Sequence, residues 1–172
     1  MQKQISSNLR KWLSLIIAII LYYIIHEGSH VIIALFYGVF EKIKILGLGV
    51  QVVAQTELLT NFQTALFCIS GSISTLFVAL LLLLFMKKIV ISKNKLFKAI
   101  CFYTTLAFLL LDPLYLTIVY KFVGGGDMNG ILLLGIPELV IQMIFGIIAV
   151  VNITLIIKKV YPTYKDSFNK NN

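Results

Sequence analysis

The chain has 172 residues, 59% of them hydrophobic and 13% charged, and its formal net charge is +8. A mean hydropathy of +0.96 excludes an ordinary soluble domain and implies an integral membrane protein. Four apolar spans with short connections leave no room for a separate soluble module, and the lysines gather at span ends rather than in a folded basic patch, which argues against a nucleic-acid partner.

Lys3, Arg10 and Lys11 precede the first apolar run as they would in a signal peptide. That run is too long for one and lacks an evident small-residue cleavage site, so a retained signal anchor is expected. The first span is predicted over 12–40, roughly 43 Å as a helix against a hydrocarbon layer of about 30 Å, so it must tilt, bend or protrude. It contains the only two histidines, in the run His26-Glu27-Gly28-Ser29-His30. Residues i and i+4 of a helix point the same way about 6 Å apart along its axis, so both imidazoles can grip one metal while Glu27 serves as general base. Three such costly polar side chains inside a membrane span argue for function over a mere helix-packing role.

Glu41 to Gln55 is rich in β-branched residues, partly alternating and punctuated by two glycines, which predicts a short hairpin or membrane-dipping strand pair. Beside the histidine site its edge could capture an extended, unwound segment by β-augmentation; an ordinary interfacial loop is the equal alternative. The second span is predicted over 62–86, up to Lys87 and Lys88, and its small residues Gly71, Ser72 and Ser74 read first as helix packing. Cys68 and Cys101 lack metal or disulfide spacing and read as small buried apolar residues. The third span, 96–120, meets Asp112-Pro113, where proline favours a break or kink. After the glycine run at 124–126, the fourth span occupies 131–157, with Gly135 and Pro137 interrupting its start.

The fold class expected is thus an all-α integral membrane protein of four transmembrane helices, forming one polytopic domain, with a β-like hairpin between the first two. Twelve of the fifteen basic residues fall before span one, between spans two and three, or after span four; Lys42, Lys44 and Lys121 fall on the other side. The positive-inside rule then places both termini in the cytoplasm, the cell membrane being the expected location, and the histidines nearer the outer face.

A catalytic zinc takes three protein ligands and keeps one open position. With no further histidine, the third ligand is expected to be a carboxylate from Glu41, Glu57, Asp112, Asp127, Glu138 or Asp166. Asp127 leads, because the preceding glycines let backbone approach a metal and its turn falls on the same side as the end of span one; capping the following helix is its alternative role. Asp112, an intramembrane carboxylate, could bind substrate backbone, orient a histidine, hold the Asp127 loop, or cap the break at Pro113. Asp112 and Asn129 are candidate substrate-binding or supporting residues. Glu138 follows Pro137 and reads as a first-turn helix residue outside the site.

Together these residues resemble the site-2 protease family of intramembrane zinc metalloproteases. The likeness comprises the His26 to His30 motif running on to Gly38-Val39 before a β-like segment, Ile69-Ser70-Gly71-Ser72 where the family has a small-residue Gly-Pro stretch, and Asp112-Pro113 followed by Asp127 where it has Asn-Pro and a downstream Asp-Gly. Asp112 in place of asparagine, Ser72 in place of proline, a long gap to Asp127 and Met128 after it are departures. The resemblance implies zinc held by His26, His30 and Asp127, proteolysis of membrane-spanning or membrane-proximal proteins with Glu27 as general base, and, as partners, the substrate, the bilayer and a regulatory membrane subunit. It also implies a metal placed towards the cytoplasm, opposite to the lysine count. A non-proteolytic metal-binding assembly or regulatory partner, and a small metal transporter, are the competing classes.

Overall fold

The computed structural model describes residues 6–47, 49–124 and 126–169. Lys3 and Lys170 of the lysine count and Gly125 of the glycine run lie outside the described residues.

Helix α1 (Ser7–Phe36) starts at Ser6, whose Oγ accepts the Leu9 amide at 3.3 Å. Its inward line takes every fourth residue, with Ser14, Ala18, His26, His30 and Ala34 buried, while Ile16, Ile20, Ile24 and Ile32 face outward. The helical period alone sorts these two faces, lipid-compatible outside and small or polar inside. The helix ends earlier than the predicted span because Gly38 adopts φ +69°, a conformation that side chains resist, and turns the chain into a hairpin. Strands β1 (Phe40–Leu46) and β2 (Gly49–Ala54) pair antiparallel. One residue, Glu41, is extra in β1 between the pairs Phe40–Ala54 and Lys42–Val53.

A reciprocal cap between Thr60 and Gln63 opens α2 (Asn61–Ile91), and Asn94 Oδ1 opens α3 (Lys95–Leu114) by accepting from the Leu96 and Phe97 amides at 3.0 Å each. α2 runs beyond the predicted end and carries Lys87 and Lys88 in its last turns, where long side chains can extend towards water. Pro113 sits inside α3 without breaking it. Proline has no N–H for the carbonyl of Leu109, and Asn152 Nδ2 donates to that carbonyl from the neighbouring helix at 2.7 Å. Beyond it the helix widens into a π turn, Tyr115–Val119, before α4 (Tyr120–Val123).

A short helix, α5 (Gly126–Leu132), precedes the interruption expected at Gly135 and Pro137. α6 (Glu138–Leu155) then continues through a π turn, Ile156–Val160, into α7 (Tyr161–Asn169), so the fourth long helix starts and ends later than the span predicted over 131–157. Four stretches, Ser7–Phe36, Asn61–Ile91, Lys95–Val123 and Glu138–Asn169, are long and apolar enough to cross a membrane. They run alternately up and down, so both described ends meet at one end of the bundle. There Arg10 lies 5.7 Å from the Phe168 ring, and the fully buried Lys98 donates to Ser167 O at 3.0 Å and Ser167 Oγ at 2.8 Å. At the opposite end one core cluster, including Ala34, Val52, Phe67, Leu116, Met128 and Phe145, ties the hairpin and α5 to the helices.

Candidate metal centre

His26 and His30 lie on the inward line of α1, and α5 brings Asp127 against them. Two glycines make that approach possible. Gly124, at φ +95°, ends α4 and reverses the chain. Gly130 then lets α5 lie on α2, since a Cβ there would be 2.1 Å from Cys68 Sγ.

The imidazole Nε2 atoms face each other at 3.2 Å. Asp127 presents Oδ2 3.3 Å from His26 Nε2 and Oδ1 3.7 Å from His30 Nε2. Nδ1 of His30 is 2.7 Å from the Phe67 carbonyl, which can only accept, so its proton sits on Nδ1 and Nε2 offers a lone pair. Nδ1 of His26 is 3.1 Å from Asp112 Oδ1, at an angle short of a straight hydrogen bond. A proton on Nδ1, facing the Asp112 carboxylate, leaves the His26 Nε2 lone pair pointing at His30. Two lone pairs and a carboxylate converging in a largely buried site repel one another unless a proton or a metal cation lies among them. Tetrahedral zinc, with ligand distances of about 2.0–2.1 Å, spaces its donors about 3.3 Å apart, close to the separations found here. The donor set therefore fits zinc. Among the described residues His26, His30 and Asp127 are the group with metal-ligating geometry.

Asp112 is fully buried, with Oδ1 3.1 Å from His26 Nδ1. Tyr22 OH donates to its Oδ1 at 2.7 Å and Thr75 Oγ1 donates to its Oδ2. Tyr22 also stacks on the His26 ring, with centroids 5.2 Å apart. The structure places Asp112 beside the His26 ring, Tyr22 and Thr75. Gly71 leaves room for that ring, because a Cβ at this position would come within 2.6 Å of His26 Cε1. Glu27 is half-buried beside the donors, and its Oε2 accepts the Val52 amide of β2 at 2.9 Å. Asn129 is exposed on α5 and lines a cavity of 540 Å³ that also reaches Glu27, His30 and Asp127. Glu138 lies apart, paired with Tyr120 and 3.4 Å from Lys121 Nζ. Cys68 and Cys101 are buried free thiols.

Sequence reasoning did not name Tyr22, Thr75, or the Phe67 and Val52 backbone groups. Tyr22 carried a signal, standing four residues before His26 on the same helical line; Thr75 and the backbone groups carried none. No family model, curated protein or solved structure matches the chain.

Proposed function

We propose that this chain is an intramembrane zinc metalloprotease of site-2 type, hydrolysing peptide bonds of membrane-spanning or membrane-proximal proteins. The observation that carries the reading is the convergence of two imidazole Nε2 atoms and the Asp127 carboxylate beside Glu27, at a cavity of 540 Å³. Bound by His26, His30 and Asp127, zinc supplies the Lewis acidity that polarises a carbonyl and acidifies water. Asp112 and the Phe67 carbonyl hold the imidazole rings in the required tautomers. Glu27, anchored through Oε2 to Val52, keeps Oε1 for the proton of the attacking water. Water adds to the substrate carbonyl, the C–N bond breaks, and Glu27 delivers the proton to the departing amine.

A carbonyl within a helix is already hydrogen-bonded, so the substrate must unwind locally. The exposed hairpin beside Glu27 offers backbone for an extended segment to pair with. We place both termini in the cytoplasm of a cell-membrane protein, because the basic residues gather at the end of the bundle where the described chain begins and finishes. A regulatory membrane subunit remains part of this reading, as the family likeness implies. A purely structural metal would call for a fourth protein ligand. The group here holds three among the described residues.

The test is Glu27→Gln, which preserves the acceptor for the Val52 amide. Purified variant is expected to bind zinc as wild type does and to lose cleavage of single-span peptides by about 10²–10⁴-fold. Cleavage undiminished by the change would refute the assignment, and the non-proteolytic reading would replace it if zinc-loaded wild type cut nothing.

A further inference from the structure

The space around the donors is a trough with two unlike halves. One cavity, of 640 Å³, is walled by Tyr22, Tyr23, Tyr115 and Val123. The other, of 540 Å³, carries the polar side chains Lys44, Thr56, Thr64 and Asn129 among apolar ones such as Phe67 and Leu133. Both include Glu27, Gln51, Gly126 and Asp127, so the halves meet at the proposed scissile position. Strand β2 runs along the trough, with Gly49 and Val50 in the aromatic half and Val52 to Ala54 in the polar half.

Lys44 pairs across the hairpin with Gln51, at the junction of the halves. It forms no ion pair among the described residues, whereas Lys42 on the same strand is paired with Glu41 at 2.9 Å. An unpaired ammonium at the wall of a trough whose other charged side chains are acids or imidazoles is suited to a carboxylate on the occupant. The opposite half offers aromatic rings and no cation, which suits a large apolar side chain.

Building on the protease reading, we propose that Lys44 selects the substrate: an extended peptide lies in the trough with an acidic side chain in the polar half, at Lys44, and a large apolar residue in the tyrosine-lined half. Gln51, opposite Lys44 on the hairpin, lines both halves where they meet, so the carboxylate falls within about three residues of the cleaved bond on that side.

The test reads binding rather than turnover. Glu27→Gln protein, loaded with zinc in zwitterionic detergent micelles, is titrated with fluorescent single-span Leu/Ala peptides bearing a Gly/Ser-rich flank. Each flank position carries Glu or Lys in turn. At one or more positions the Glu peptide is expected to bind at least about threefold tighter than the Lys peptide. Adding Lys44→Gln should erase that ratio and Lys44→Glu should invert it; Lys44 is exposed, so both variants should fold. Absence of discrimination at every position, or a ratio unmoved by Lys44→Glu, overturns the proposal. Cleavage of the same peptides by wild type separates the two readings. Peptides bound with charge discrimination yet never cut uphold Lys44 selection and refute proteolysis; peptides cut without discrimination do the reverse.

Discussion

Gly71 gives the sharpest test of the metal site, because its only evident role is to leave space. Replacing it with alanine puts a carbon 2.6 Å from His26 Cε1 and 2.7 Å from both ring nitrogens. Comfortable carbon contacts are about 3.5–4.0 Å, so the ring or the helix must yield by about 1 Å. The ring has little freedom in its working position, with Asp112 3.1 Å from Nδ1 and Tyr22 stacked on one face. The ring can avoid the added carbon only by leaving this position, which a ligand of the metal must keep, so the overpacking penalty falls on the bound state. That penalty is about 1–3 kcal/mol, which converts to zinc binding weakened by about 5- to 150-fold. The measurement is competition between the detergent-solubilised protein and a chromophoric chelator. Gly28→Ala is the control, since a Cβ at Gly28 meets nothing within 4 Å, and it should keep wild-type affinity. A folded Gly71→Ala protein binding zinc within twofold of wild type would refute the packing argument and the ring placement beneath it.

Asp127→Ala removes the one carboxylate of the donor set and should release zinc, read as metal stoichiometry of the purified variant beside wild type. Asp112→Ala should lower zinc affinity about 10–100-fold, the usual cost of losing a ligand-orienting partner. Asp112→Asn should cost less, because the remaining oxygen can serve Tyr22 and His26 while the Thr75 hydroxyl turns to the Ser72 carbonyl 3.0 Å away; equal losses in the same chelator competition would show that charge, not orientation, is what matters. At the far end of the bundle, Lys98→Ala removes two hydrogen bonds to Ser167, and with them about 1.5–3 kcal/mol of α7 docking; hydrogen exchange should accelerate over Tyr161–Asn169 and leave α1 unchanged.

What could be read from the chain alone were the features encoded by near neighbours. The four-residue step between His26 and His30 aligns two imidazoles through helical period, whatever surrounds them. Long apolar runs marked the crossings, and the alternating stretch with its glycines marked the hairpin, which the structure shows as a β pair. Gly124 disclosed a reversal that carries Asp127 back to α1. Element limits were less legible, since the chain left α1 at a glycine within an apolar run, and Pro113 was accommodated once Asn152 took up the carbonyl it freed.

The surroundings of the site belong to tertiary structure. Asp112 is 86 positions from His26 and could have served several roles; only the register of α3 against α1 sets it at the imidazole. Thr75 joins it because of how α2 is rotated, and the Phe67 carbonyl and Val52 amide are backbone groups that every residue type possesses. Sequence identity cannot single out such atoms. Helix rotation, depth and register arise from the summed packing of whole faces, and they alone decide which of many polar groups, Lys44 at the trough among them, come to lie within reach of the histidines or of a bound peptide.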